Sequence, residues 1–259
     1  MKISEITPLI ITYNEAPNIE RCLNRIRWAS RVVVIDSGSA DATLEVCDSI
    51  ANVEVFHREF DSFATQCNFG LRQIESEWVL SMDADYIVPR DFAQTISDLR
   101  VGEGVSGYRA KIRYCIEGVP LRSGLYPPRC VLYRRELADY ENDGHGHKVN
   151  LSGGVTEDLS LSIDHDDRKC MAGWLHNQVT YAQLEAEKLS TMSSVDYSRT
   201  DRLRSKGWIL PILVLPYCLI FRRGLLDGWP GWSYSLQRLT AEVMLAILLV
   251  ERRLKNRVG

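Results

Sequence analysis

An α/β fold with a mostly parallel, Rossmann-like central sheet and a C-terminal helical extension is predicted by three observations. Short β-branched apolar runs at residues 7–11, 32–35, 53–56 and 78–82 each end in a polar turn. Helical patterns lie between them, which implies a parallel sheet with helical crossovers. From Trp174 a long helical pattern takes over and is followed by basic, apolar sequence. The chain has 259 residues, 45% hydrophobic and 25% charged, enough for a full core, which argues against disorder.

The first strand, residues 7–11, leads into a helix with Ile19, Leu23 and Ile26 on one face, and Asn14 and Pro17 suit its start. Val32–Ile35 is the second strand, and the turn Ser37-Gly38-Ser39 with Asp41 opens the second helix. A third strand (Val53–Phe56), a helix through Ala64–Ile74 and a fourth strand (Trp78–Met82) complete the alternation. Ligands of such sheets bind at the carboxyl ends of the strands, where Tyr13, Asp36 and Asp83 fall. From about residue 100 the alternation gives way to the strand GYRAKIRYCI and a shorter one at Cys130–Tyr133. VTEDLSLSID alternates as a half-exposed strand, with Val155, Leu159, Leu161 and Ile163 inward. The expected organisation is a catalytic domain at 1–170, divided into a ligand-binding half (1–99) and an acceptor half (100–170), and a helical extension at 171–259.

Two C-terminal runs, WILPILVLPYCLIF at 208–221 and AEVMLAILLV at 241–250, are apolar but shorter than the roughly 20 residues a membrane span needs. Pro211 and Pro216 interrupt the first, and Arg222 and Arg223 close it, as in a segment lying in the headgroup region. A helical pair packed on the domain is the alternative. Residues 199–259 hold eleven Lys/Arg against four Asp/Glu, leaving 20 against 30 elsewhere, so a tail of +7 adjoins a body of −10. Basic residues flanking apolar runs point to an anionic membrane surface and not to nucleic acid. The opening MKISEITPLIITYNE lacks the basic and apolar regions of a secretory signal, so the expected location is cytoplasmic, peripheral on the inner face of the cytoplasmic membrane. Seven scattered cysteines without a C-x-x-C pair read as reduced thiols.

Asp83-Ala84-Asp85 directly follows the strand WVLSM, so two carboxylates emerge where a divalent cation, Mg²⁺ or Mn²⁺, and a diphosphate could be held. Two aspartates in a turn are also common as caps or solvated turn residues. Asp36 could accept hydrogen bonds from a nucleobase N–H or a ribose hydroxyl, or could cap the following helix.

ITYNEAPNIERCL at 11–23, VVVIDSGSADAT at 32–43 and SEWVLSMDADYIVP at 76–89, with Gln66 and Asn68 in FATQCNFGL, together resemble glycosyltransferase family 2 over about the first 90 residues. The resemblance implies a GT-A fold and transfer of a sugar from a nucleotide-diphosphate donor, with a UDP-sugar expected first. It implies donor contacts at Thr12, Tyr13, Asn14, Glu15, Asp36, Asn68, Asp83 and Ala84, and a cation at Asp83 and Asp85. Tyr86 stands where many relatives carry an acid.

An inverting transfer needs a base for the acceptor hydroxyl. The resemblance points first to Asp143 in ENDGHGH; Glu157 and Asp158, with Asp166 and Asp167, are the alternatives. His165 in DHDDRK resembles a family histidine that completes the metal shell, though a lone His is often a satisfied structural residue. Arg168 and Lys169 either neutralise the leaving diphosphate or form a solvated salt-bridge cluster. HDDRKCMAGWLHNQVTYAQLEAEKL and RRGLLDGWPGW are similar to bacterial members that build lipopolysaccharide or other surface glycans. They imply a glycan or lipid-linked acceptor.

A polyprenyl-phosphate sugar transferase, whose acceptor needs no base, and an inactive membrane-associated adaptor are the competing readings. A nucleotidyltransferase would need a glycine-rich, basic phosphate loop, and PLIITYNEAPN is neither.

Overall fold

The computed structural model describes residues 1–143, 146–193 and 195–258, with backbone alone at 143 and 256–258. The chain divides into two compact units, residues 1–117 with 126–169, and residues 118–125 with 170–259.

The first unit opens with β1 (Ile6–Thr12), α1 (Ile19–Arg25), β2 (Val32–Asp36), α2 (Thr43–Asp48), β3 (Val53–His57), α3 (Phe63–Arg72) and β4 (Trp78–Asp83). These strands lie parallel in the order β3-β2-β1-β4. They form because both sheet faces are covered. Val32 and Val34 pack in one cluster with Ile10, Ile19 and Leu23, whereas Val33 and Ile35 pack in another with Leu9, Cys67 and Leu71. Continuous apolar runs are what a parallel sheet with two covered faces requires. α3 approaches its face closely: a Cβ on Gly70 would stand 2.4 Å from Leu9 Cδ1.

Next come β5 (Tyr86–Ile87), α4 (Phe92–Asp98), β6 (Val105–Ile116) and, within the second unit, β7 (Val119–Pro120). β8 (Arg129–Arg134), β9 (Ala138–Asp143), β10 (Gly146–Leu151) and β11 (Val155–His165) complete the strands. β8 lies antiparallel between β4 and β6, β11 runs parallel to β6, and β5 pairs antiparallel with the end of β11. β9 and β10 make a separate hairpin. The mixed α/β class with a mostly parallel sheet is therefore as expected.

Three local details differ from expectation. α1 starts at Ile19, with Asn18 at the N-cap position but no side-chain capping bond, and neither Asn14 nor Pro17 starts it. Asn14 instead takes a left-handed backbone (φ 52°), which Asn tolerates better than most residues, and so turns the chain out of β1. Val155 is 56% exposed although Ile163 on the same strand is fully buried: β11 pairs with β6 from Val155 onward, but its other edge is paired only at Asp164 and His165, by β5.

In the second unit α5 (Met171–Thr191) begins before Trp174. α6 (Arg199–Arg204) is held by a reciprocal Ser198/Asp201 capping box. α7 (Ile209–Pro216) runs into a wide π-helical turn at Tyr217–Phe221, directly after Pro216. α8 (Gly228–Val258) is 31 residues long and absorbs the run 241–250, which alone is too short to span. By length and composition the helical stretch Gly224–Lys255 is sufficient to cross a membrane. Ala182, Ala186 and Leu189 of α5 pack with Leu245 and Leu249 of α8.

Candidate functional site

β1 lies between β2 and β4, the point where the strand order reverses and where α/β sheets open a crevice at their carboxyl edge. Thr12 is opposite Asp36, and Ile11 is opposite Asp83. The two aspartates thus flank the end of β1. Thr12 is buried, and its Oγ1 has no hydrogen-bond partner. Tyr13 beside it is 57% exposed.

Asp36 does not cap α2, whose N-cap position is Ala42; Asp41, just before it, accepts from Thr43 N at 3.0 Å. Asp36 is fully buried and orders its own turn: Oδ2 accepts from Gly38 N (2.8 Å) and Ser39 N (2.9 Å), and Oδ1 from Ser39 Oγ (2.5 Å). Asn14 ties this turn to the end of β1, its N–H donating to Ser39 Oγ and its Oδ1 accepting from Ala40 N, both at 2.9 Å.

On the other side of β1, Asp83 ends β4 and Ala84 is buried. Arg129 Nη1 on β8 lies 3.4 Å from Asp83 Oδ2 and donates to the Tyr86 hydroxyl at 3.2 Å. Burial alone would raise the Asp83 carboxyl, but Arg129, the His147 and His165 imidazoles and Tyr86 together hold it below the ordinary value. Tyr86 is thus the buried packing partner of a cation and a carboxylate.

Asp85 and His165 meet because β5 pairs with the end of β11. His165 Nε2 is 2.9 Å from Asp85 Oδ2. The imidazole sits among the rings of Tyr86, Tyr114 and Tyr126, with centroids 4.8–5.5 Å away. Burial lowers its pKa, yet the Asp85 carboxylate outweighs this and keeps it raised. Asp85 Oδ1 and His165 Nδ1 are buried without partners, a cost of roughly 1–3 kcal/mol each. Two carboxylates and an imidazole suit Mg²⁺ or Mn²⁺ in chemistry. Among the described residues, however, no group of three His, Cys, Asp or Glu side chains is arranged to hold a metal ion, and Arg129 stands against Asp83.

The remaining candidates divide. Glu15 pairs with Lys169 and accepts from Asn18 Nδ2 at 2.8 Å; burial, aided by the charge of Asp85, pushes its carboxyl up to about 7. Asp166 binds Arg21 at 2.7 Å and Arg168 at 2.9 Å, Arg168 also binds Glu117, and Asp167 Oδ1 accepts from Asn18 Nδ2 at 2.8 Å. The 166–169 segment is therefore an ion-pair network, as in the second of its two readings, except that Asp166 within it is buried and not solvated. Asn68 is engaged at both ends of its amide by the Tyr140 backbone, at 2.9 and 3.0 Å, which clips α3 to β9. Glu157 and Asp158 lie on the exposed start of β11, where Asp158 pairs with Arg109. Asp143 ends β9, with its side chain outside the described part.

Two residues near Asp83 have no local signal in the sequence. Arg129 follows Pro127-Pro128 at the start of a strand, and His147 lies on β10. Only the antiparallel return of β8 beside β4 brings Arg129 to the carboxylate.

A family model described as Glycosyl transferase family 2 matches residues 8–144. The lipopolysaccharide core biosynthesis glycosyltransferase LpsC of Rhizobium meliloti is 24% identical over 251 residues, covering 92% of this chain and 88% of its own length. An uncharacterized glycosyltransferase of Rickettsia bellii is 28% identical over 144 residues, 53% of this chain. The chain matches only 49% of that relative's length. Among solved structures, a mannosyltransferase from Pyrobaculum calidifontis, determined with GDP-Man and Mn²⁺, has a TM-score of 0.56 at 18% identity, covering 97% of this chain and 86% of its own. The GT-A fold is common to both.

Proposed function

The chain belongs to glycosyltransferase family 2, and on that premise we propose that it is an inverting enzyme transferring a sugar from a nucleotide-diphosphate donor, a UDP-sugar first among candidates. The acceptor is a glycan or lipid-linked intermediate of bacterial lipopolysaccharide or surface polysaccharide, met at the inner face of the cytoplasmic membrane. The likeness to LpsC along 92% of the chain supports the acceptor class.

One observation carries the donor site: Thr12 Oγ1 at the end of β1, Asp85 Oδ1 in the turn after β4 and His165 Nδ1 at the end of β11 are buried polar atoms without partners. Such atoms in a folded protein call for a ligand or an ion. Asp83, Asp85 and His165 would hold a divalent cation, which when bound supplies Lewis-acid stabilisation to a departing diphosphate. Thr12 and the Asp36 turn orient the nucleoside, with Tyr13 exposed beside them. Asn14 and Glu15 shape the same rim, the first through Ser39 and the second through Lys169. Arg129 balances the negative charge of Asp83 while the donor is absent and faces the diphosphate when it is present. Asp143 takes the proton of the acceptor hydroxyl as that oxygen attacks the anomeric carbon.

Calorimetry of UDP and GDP with and without Mn²⁺, on the wild type and on Asp85→Ala, tests the reading. Binding that needs the cation and is lost in the variant is the expected result. Cation-independent binding, or equal binding by the variant, would remove the Asp83/Asp85/His165 site from the donor reading.

A further inference from the structure

The second unit turns apolar side chains outward where a soluble helix would place charges. Over the helical stretch 209–221, Ile212, Leu213, Tyr217, Ile220 and Phe221 are exposed and recur at helical spacing, while Val214, Cys218 and Leu219 on the other side are buried. Leu226 (65% exposed) and Trp229 (85%) carry this face across the turn into α8. Within residues 228–250 only two residues are charged, Arg238 and Glu242, and neither is exposed. Beyond Gly228, the side chains that stretch does expose are all apolar, among them Trp232, Leu236, Val243 and Ile247. A contiguous face of this size marks an interaction surface.

The charges bordering it say what covers it. Three of the four acids in residues 199–255 are used internally. Asp201 caps α6, Asp227 accepts from Arg122 N and from Ser123 N and Oγ at 3.0–3.1 Å, and Glu242 binds Arg204 (2.7 Å) and Arg238 (3.2 Å). The fourth, Glu251, is neutralised by Lys255 at 2.6 Å. Arg222 and Arg223 are exposed directly after Phe221, as are Arg202 and Lys206. A second copy docked through this face would bring like charges together, whereas anionic lipid headgroups complement them.

The face also argues for lying on a bilayer, although α8 is long enough to cross one. Arg204 joins Glu185 and Glu242, and Arg238 joins Glu242, beside the middle of α8, and charged groups at the centre of the hydrocarbon are costly. We propose that the exposed face from Ile212 through Phe221 and Leu226 to Trp229 docks in the headgroup region of an anionic bilayer. Phe221, Leu226 and Trp229 reach the acyl boundary, and Arg222 and Arg223 lie on lipid phosphates. The inference rests on the membrane-surface part of the proposed function and assigns the face that makes the contact.

The test is co-sedimentation of the full chain with phosphatidylcholine vesicles with or without a quarter phosphatidylglycerol. Phe221→Glu/Trp229→Glu, Arg222→Gln/Arg223→Gln and a control at another exposed apolar residue, Val195→Glu, are compared with the wild type. The wild type and the control should bind the anionic vesicles, the Glu pair should lose at least tenfold in affinity, and the Gln pair several-fold. Circular dichroism and nucleotide binding should stay unchanged, since all these side chains are exposed, and nucleotide binding reports separately on the sugar-transfer reading. Undiminished binding by the Glu pair overturns the assigned face while leaving membrane association standing. A wild type that stays in the supernatant overturns both, and a dimer dissolved by the Glu pair in sedimentation velocity would identify a second copy as the occupant.

Discussion

His165 Nε2 stands 2.9 Å from Asp85 Oδ2, across the seam where the end of β11 pairs with β5. Eighty positions separate the two in the chain, yet each leaves its other polar atom buried and unpaired. His165→Ala should therefore weaken cation-dependent nucleotide binding by at least the ten- to hundredfold that loss of a metal site's outer partner costs. Calorimetry at fixed nucleotide and varied Mn²⁺ reads this directly. An unchanged Mn²⁺ dependence would make His165 a structural partner of Asp85 only.

Thr12 offers a substitution in which stability and function part. Thr12→Val removes a buried hydroxyl that has no partner, so urea unfolding should show no loss and a gain of up to about 1 kcal/mol. Nucleotide affinity should fall several-fold. Equal affinity would take the Thr12 hydroxyl out of the donor site.

Asp143→Asn should leave nucleotide affinity unchanged and reduce kcat by about 10²–10⁴, the usual contribution of a general base. Retained turnover would point to an acceptor that is already anionic, such as a polyprenyl phosphate.

Glu15 makes stability depend on pH. Its folded pKa of about 7 lies above the unfolded value, so its contribution is fully present below about 4.3. It is lost as pH rises through about 7. Relative to Glu15→Gln, the wild type should thus lose stability between pH 5 and pH 8, by no more than about 3 kcal/mol. Urea titrations of both proteins at the two pH values measure the difference, and parallel pH profiles would show that the Lys169 ion pair keeps Glu15 ionised throughout.

Gly70→Ala tests the packing beneath the site. The added Cβ would meet Leu9 Cδ1 at 2.4 Å and Ile35 Cγ1 at 3.1 Å, on the β-strands that carry Thr12 and Asp36. Overpacking of this kind costs about 1–3 kcal/mol, visible as a lower denaturation midpoint, and weaker nucleotide binding should accompany it if α3 pushes β1 and β2 apart.

The sequence alone determined the strand–helix alternation through Asp83 and the set of polar residues at the strand ends. Those signals are local: runs such as Val32–Ile35 are apolar on both faces because both faces are covered, and a carboxylate directly after such a run must emerge at the sheet's edge. Local signals misplaced the start of α1, because the left-handed turn at Asn14 is set by its bonds to Ser39 and Ala40, 25 and 26 residues away. They also made residues 241–250 look like an isolated short run, when α8 is continuous from Gly228. Tertiary structure alone decided that β8 returns antiparallel beside β4 and sets Arg129 against Asp83, that β11 delivers His165 to Asp85, and that Arg168 meets Glu117 and Lys169 meets Glu15. It also decided that Asn68 serves the backbone of β9. Each of these is a contact between residues 46 or more positions apart, and no spacing along the chain encodes which distant charge a folded sheet will place beside a given carboxylate.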